Sequence, residues 1–97
     1  MAYSVLWHEH ALNDLKEFDR QTAGKIVSRI KGYLSQDPEK LGKPLKGVLK
    51  GLYRYRVGDY RIMYSIDRGD KQNSILYIGR AKSGKIHAAQ SEIFTLP

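Results

Sequence analysis

The feature that most constrains the fold lies in residues 51–67, where tyrosine and arginine alternate on both sides of Gly58-Asp59. Glycine as the first of two central turn residues is typical of a type II′ turn, and a two-residue loop fixes the register of the strands that it joins. The sequence therefore predicts a β-hairpin over residues 53–66. In its register Val57 lies opposite Tyr60, Arg56 opposite Arg61, Tyr55 opposite Ile62 and Arg54 opposite Met63.

The predicted hairpin has two unlike faces, because side chains alternate between the faces of a strand. One, called the arginine face, carries Arg54, Arg56 and Arg61; the other, called the tyrosine face, carries Tyr53, Tyr55, Val57, Tyr60, Ile62 and Tyr64. Opposed like charges destabilise a hairpin, and no carboxylate shares the arginine face. We expect it to hold phosphate, which guanidinium groups bind bidentately. The alternative is an open, solvated sheet face that carries arginine for solubility, where Asp67 or Asp70 could pair with the charges.

The rest of the chain predicts a small α+β domain. Residues 3–7 alternate like an opening strand, and two amphipathic helices follow, the second ending before Asp37-Pro38. Residues 41–50 form a basic connecting segment, residues 67–73 a polar turn, residues 74–78 a further strand and residues 79–84 a loop. The order β-α-α-β-β-β predicts an antiparallel sheet of about four strands with an N-terminal helical hairpin on its tyrosine face. The arginine face is expected to be open to solvent. The length of 97 residues predicts one domain, 1–97.

Composition narrows the function classes. The formal net charge is +7, and the basic excess falls in residues 40–61, which points to nucleic acid, anionic lipid or an acidic protein partner. Cysteine is absent, which excludes a disulfide framework, a thiol nucleophile and a cysteine-built zinc site. No apolar run approaches the length of a membrane span, so we expect a soluble, cytoplasmic protein.

Several further residues are candidates for chemistry. His87 follows the last predicted strand and could transfer a proton near neutral pH, although a lone histidine is more often a packing or surface residue. Residues 79–86 nearly match a nucleotide-binding phosphate loop, but Ile86 stands where a magnesium-binding hydroxyl is needed. We interpret them as a basic loop that brings Arg80, Lys82 and Lys85 to the edge of the arginine face. His8 and His10 point in different directions on a helix, so neither a metal site nor a cofactor is expected.

Three stretches together resemble the RelE/ParE superfamily of toxins from prokaryotic toxin–antitoxin modules. They are Ala11-Leu12-Asn13-Asp14-Leu15, Gly42-Lys43-Pro44-Leu45-Lys46-Gly47 and Leu52-Tyr53-Arg54-Tyr55-Arg56-Val57-Gly58-Asp59-Tyr60-Arg61-Ile62-Met63-Tyr64. RelE-like members are ribosome-dependent endoribonucleases that cut mRNA in the A site, whereas ParE-like members share the fold and poison DNA gyrase. The resemblance favours the RelE-like branch. A non-toxic, antitoxin-bound repressor subunit or RNA binder is a further alternative.

The resemblance also implies roles for particular residues. Arg54, Arg56 and Arg61 would surround the scissile phosphate, with Lys46 as an auxiliary contact. Lys50 is a further RNA-binding candidate, because it belongs to the basic run of residues 40–61. Where an arginine and a later tyrosine are typical of the family, this chain has Ala81 and His87; Arg80 or Lys82 would replace the arginine and His87 the tyrosine. The implied reaction is metal-free transesterification by the 2′-hydroxyl. The implied partners are the ribosome, mRNA and an acidic, partly disordered RelB-like antitoxin in a toxin–antitoxin hetero-oligomer.

Overall fold

The structure is a computed structural model, and it describes residues 2–80 of the chain. The helices are α1 (Glu9–Lys16), α2 (Arg20–Gly32) and the short α3 (Pro38–Leu41), with 3₁₀ turns at Leu34–Gln36 and Gly47–Leu49. The strands are β1 (Ser4–Trp7), β2 (Lys43–Pro44), β3 (Leu52–Val57), β4 (Tyr60–Asp67) and β5 (Gln72–Arg80). No helix in this part of the chain is long and apolar enough to cross a membrane.

The strands form one sheet in the order β1-β5-β4-β3-β2. All neighbours within it are antiparallel except β1 and β5, which are parallel. The predicted α+β class is confirmed, and so is each cross-strand pair predicted for the β3–β4 hairpin. Gly58 has a φ of +57°, as the first central residue of a type II′ turn requires. The two-residue strand β2 and the parallel pairing of β1 were not predicted.

The tyrosine face of the sheet forms the core with the helices. Ala11 of α1 and Ile26 and Ile30 of α2 pack against buried side chains of β3, β4 and β5, and this cluster includes Tyr55, Val57, Ile62, Tyr64, Ile75 and Ile78. Tyr64 is fully buried, and its hydroxyl donates a hydrogen bond of 2.5 Å to the carbonyl of Pro38. Burial raises the pKa of Tyr64 far above its ordinary value. This contact ties α3 to the centre of the sheet.

The helix boundaries follow from local capping. Asp19 precedes α2, and its carboxylate accepts a hydrogen bond of 2.6 Å from the backbone N–H of Thr22. That hydrogen bond lowers the pKa of Asp19 below its ordinary value. After α2 ends at Gly32, a 3₁₀ turn leads to Asp37, which caps α3 with Pro38 at its first position. The prediction that the second helix ends before Asp37-Pro38 is confirmed.

Strand β5 differs most from the expectation. It begins two residues earlier than predicted and continues through Arg80, so Gly79 and Arg80 belong to the strand and not to the loop expected there. The register with β4 also shifts between Met63 and Tyr64, which pair with Tyr77 and Ile75. This β-bulge leaves Leu76 as the extra residue and changes which side chains of β5 share a face with those of β4.

Helix α1 lies along the part of β5 that extends beyond β1. The Oδ2 atom of Asp14 accepts a hydrogen bond of 3.0 Å from the backbone N–H of Ile78 and lies 3.1 Å from Nδ1 of His10. Burial raises the pKa of Asp14, although the Ile78 N–H and His10 both act in the opposite direction. The carboxylate of Asp14 thus accepts a hydrogen bond from a backbone N–H of β5 that β1 is too short to reach.

Candidate phosphate-binding site

The three arginines occupy the face that the hairpin register predicts. Arg54 lies on β3 and Arg61 on β4, both partly exposed, while Arg56 is exposed beside the turn. Arg56 and Arg61 are direct cross-strand partners, and Arg54 is paired with Met63. Directly opposed residues have Cβ atoms about 4.5–5.5 Å apart, so two guanidinium groups start from neighbouring points on the same surface.

The charges of the arginine face are not neutralised within the described part of the chain. The ion pairs recorded there join Arg68 to Glu39 and His10 to Asp14, and neither involves the arginine face. Arg56 donates from Nε to the carbonyl of Gly58 at 2.7 Å, which orients its side chain without cancelling its charge. The carboxylate of Asp67 instead accepts from the backbone N–H of Asp70 in the β4–β5 turn. Within the described residues none of the three arginines is therefore paired with Asp67 or Asp70, which leaves a solvated face without such pairs as the alternative.

The arginine face is less open than expected, because part of it is apolar. Met63 and Tyr77 are only 2% and 5% exposed, and Leu45, Leu49 and Leu52 pack against them. Hairpin parity already placed Met63 beside the arginines. Tyr77 could not be placed from the sequence, because the bulge decides its face. An apolar border excludes water from one side of the guanidinium groups and strengthens their attraction for an anion.

The segment between β2 and β3 carries two of the predicted RNA-binding lysines. Leu45 and Leu49 anchor this segment on the arginine face of the sheet, and exposed Lys46 and Lys50 flank its 3₁₀ turn. Both lysines line a cavity of about 270 Å³ together with Gly47 and Gly51. The structure therefore brings Lys46 and Lys50 to the same side of the sheet as the three arginines.

The expected position of Arg80 is wrong. Arg80 pairs with Tyr60, a residue of the tyrosine face, and its guanidinium carbon lies 5.9 Å from the centre of the Tyr60 ring. Gly79, not Arg80, is the cross-strand neighbour of Arg61. The other predicted residues of the C-terminal region, Lys82, Lys85 and His87, lie outside the described residues. Within residues 2–80 no group of three or more histidine, aspartate or glutamate side chains could hold a metal ion.

Comparison with known proteins identifies the family. The profile of the ParE toxin family, described as the toxin of the type II toxin–antitoxin system parDE, matches residues 5–83. The chain belongs to the RelE/ParE superfamily of type II toxins. It is 38% identical to Toxin RelE of Mycobacterium tuberculosis over 78 residues, which cover 80% of each protein. It is 36% identical to Toxin RelG of the same organism over 67 residues, covering 69% of this chain and 77% of that toxin.

Solved structures of the superfamily share the fold described above. The toxin–antitoxin complex RelBE2 of M. tuberculosis contains a chain with a TM-score of 0.80 and 31% identity, covering 82% of this chain and 99% of that chain. The RelE–RelB complex of Pyrococcus horikoshii contains a chain with a TM-score of 0.65 and 28% identity, covering 86% of this chain and 100% of that chain. A mutant RelE of Escherichia coli in the free state has a TM-score of 0.72 at 17% identity, covering 99% of this chain and 100% of that chain. At this identity the likeness supports the fold alone.

Proposed function

We propose that this protein is the toxin of a type II toxin–antitoxin module and acts as a ribosome-dependent endoribonuclease that cuts mRNA in the A site. Membership of the superfamily and the identity to RelE toxins support the toxin assignment. The observation that carries the catalytic part is the arginine face, whose cations have no carboxylate partner within the described residues. Such a surface suits the phosphodiester backbone of RNA.

The proposed reaction is a metal-free transesterification. The 2′-hydroxyl of one nucleotide attacks the adjacent phosphorus, a bond forms from O2′ to phosphorus, and the bond from phosphorus to O5′ breaks. A base takes the 2′-hydroxyl proton, and an acid protonates the leaving O5′ atom. Arg54, Arg56 and Arg61 stabilise the negative charge that grows on the phosphate oxygens. Guanidinium groups stay protonated at ordinary pH and cannot act as the base.

Proton transfer needs a different kind of residue. His87 is our candidate, because an imidazole titrates near neutral pH and a positioned acid or base is worth typically 100-fold to 10,000-fold in rate. A site with so few groups depends on a substrate that is already held in line for attack. The ribosome would supply that alignment, which is why we propose A-site mRNA as the substrate.

A cognate antitoxin is the second proposed partner. Toxins similar to this chain have been crystallised in RelBE2 and RelE–RelB complexes. We propose an acidic antitoxin segment that is partly disordered when free and folds across the arginine face in a toxin–antitoxin hetero-oligomer. Its carboxylates would occupy the positions of the RNA phosphates.

Cleavage mapped on translating ribosomes tests the proposal. Purified toxin should cut mRNA in the A site, and Arg61→Ala should lower the single-turnover rate about 100-fold or more, as the loss of a preorganised charge-stabilising group does. Arg68→Ala is the matched control, because Arg68 lies away from the hairpin turn and already has a carboxylate partner. Its Nε atom lies 2.7 Å from Oε1 of Glu39. His87→Ala in the same assay tests the proton-transfer role. Equal rates for Arg61→Ala and wild type would overturn the assignment.

A gyrase-poisoning activity is the second candidate, because the family profile that matches residues 5–83 is that of ParE toxins. It predicts loss of DNA supercoiling by purified gyrase on addition of the toxin, with mRNA left intact. In cells it predicts DNA breaks without early arrest of translation. Growth that is unaffected by strong expression would exclude both activities.

A further inference from the structure

Two residues of β5 complete the arginine face beside Arg61. Met63 pairs with Tyr77 and Arg61 pairs with Gly79, so Tyr77 and Gly79 lie on the same face as the arginines. The bulge at Met63/Tyr64 produces this arrangement, because it shifts the register of this end of β5 by one residue. The arginine face therefore meets a tyrosine and a glycine on the next strand.

The phenol of Tyr77 fills the space that Gly79 leaves empty. A Cβ atom built on Gly79 would overlap the hydroxyl and the adjoining ring carbon of Tyr77. The hydroxyl thus stands where the cross-strand neighbour of Arg61 would carry its side chain. Since paired residues have Cβ atoms about 4.5–5.5 Å apart, the phenol oxygen lies within the reach of an arginine side chain.

The position of the Tyr77 ring is fixed by its neighbours. The ring belongs to the apolar cluster with Met63 and is only 5% exposed. On its α1 side the ring of His10 lies at a centroid distance of 5.5 Å and an interplanar angle of 55°. His10 lies 3.1 Å from Asp14, which accepts the hydrogen bond from Ile78 of β5. A ring held in this way presents its oxygen at a constant place.

We propose that Tyr77 is a positioning residue for Arg61. A guanidinium carries five N–H donors, and bidentate binding of a phosphate uses two of them. The phenol oxygen of Tyr77 accepts one of the remaining donors when Arg61 engages RNA, and this holds the plane of the guanidinium toward the phosphate. The inference rests on the proposed function for its substrate, RNA, but it concerns how Arg61 is held and not which RNA is cut.

A double-mutant cycle tests this coupling. The probe is a fluorescent single-stranded RNA in which every 2′-hydroxyl is methylated, so that the attacking hydroxyl is blocked and binding is measured without cleavage. Tyr77→Phe should weaken binding about tenfold, because hydrogen bonds to charged groups are worth more than neutral ones. In an Arg61→Ala background Tyr77→Phe should have no further effect, because its partner is gone. Gly79→Ala should reproduce the defect of Tyr77→Phe by displacing the phenol.

The control is Tyr60→Phe, which removes a hydroxyl from the tyrosine face, where the Tyr60 ring packs on Phe18. It should leave binding unchanged, and near-ultraviolet circular dichroism should show that all the variants fold. Full binding by Tyr77→Phe, or an equal loss in both backgrounds, would overturn the positioning role. On ribosomes, Tyr77→Phe should lower the cleavage rate with KM changed by a smaller factor. If the wild type binds the probe with the expected coupling but cuts no mRNA, the proposed function fails and the coupling stands.

Discussion

At the scale of single residues, the arginine face contains a repulsion between like charges that the folded protein tolerates. Arg56 and Arg61 face each other across the hairpin, although directly opposed like charges are unfavourable. Their strands are held in register by the turn and by the core on the other face, so the repulsion cannot relax by slippage. Functional surfaces commonly accept such a cost in stability for the sake of binding.

Replacing one of the opposed charges should therefore stabilise the protein. We expect Arg61→Gln to raise the free energy of unfolding by about 0.2–1 kcal/mol, the range measured for cross-strand pairs. Urea unfolding of the isolated toxin measures the change, and the gain should shrink as salt screens the repulsion. Arg68→Gln, which breaks the Arg68–Glu39 pair, should show no gain. A loss of stability in Arg61→Gln would mean that the opposing arginines do not repel each other in the native state.

At the scale of secondary-structure elements, the sequence predicted those features that depend only on residues close together in the chain. A two-residue turn at Gly58-Asp59 sets the hairpin register without any knowledge of the rest of the fold, and parity then sorts the arginines from the tyrosines. The bulge in β5 depends on contacts between parts of the chain that are distant in sequence. The periodicity of apolar residues therefore does not predict it. For that reason Tyr77 was not found. The same limit applies to β1, whose parallel partner β5 lies at the far end of the described chain. Arg80 was misplaced for a different reason: the strand was predicted to end at residue 78, whereas β5 continues through Arg80 and pairs it with Tyr60.

The N-terminus of α2 offers a test at this scale, because its cap is a carboxylate with a lowered pKa. A lowered native pKa means that the carboxylate of Asp19 stabilises the fold above the ordinary value of 3.8 and that this contribution is lost as the pH falls through the native pKa. In the variant Asp19→Asn the new side-chain amide would still accept a hydrogen bond from Thr22 but would lack the charge that favours a helix N-terminus.

We therefore expect wild type to melt at a higher temperature than Asp19→Asn near neutral pH and the difference to close in acid. Thermal unfolding over roughly pH 2.5 to 6 measures this difference, since that window spans the native and unfolded protonation of an aspartate. Asp59→Asn, in the exposed hairpin turn, is the matched control. A difference that is independent of pH would assign the cap to its hydrogen bond and not to its charge.

At the scale of the whole molecule, charge is distributed unevenly. The chain carries 17 lysine and arginine residues against 10 aspartate and glutamate residues. Glu9, Asp14 and Glu17 lie on or directly after α1 at the β5 side of the sheet, while the arginine face and the segment with Lys46 and Lys50 carry a concentration of positive charge. A polarised protein of this kind is steered toward polyanions in one orientation.

Salt dependence of RNA binding distinguishes this specific surface from general positive charge. Each phosphate neutralised on single-stranded RNA contributes about −0.7 to the slope of log K against log salt concentration. The double variant Arg54→Gln/Arg61→Gln should therefore lower the magnitude of the slope by about 1.4. Fluorescence anisotropy with the uncleavable RNA, repeated at several salt concentrations, gives the slope.

The matched control is Glu39→Gln/Arg68→Gln, which removes an existing ion pair without changing net charge and should keep the wild-type slope. Equal slopes for both double variants would mean that RNA binds elsewhere on the toxin, because only groups that displace counterions at the bound phosphates affect this quantity.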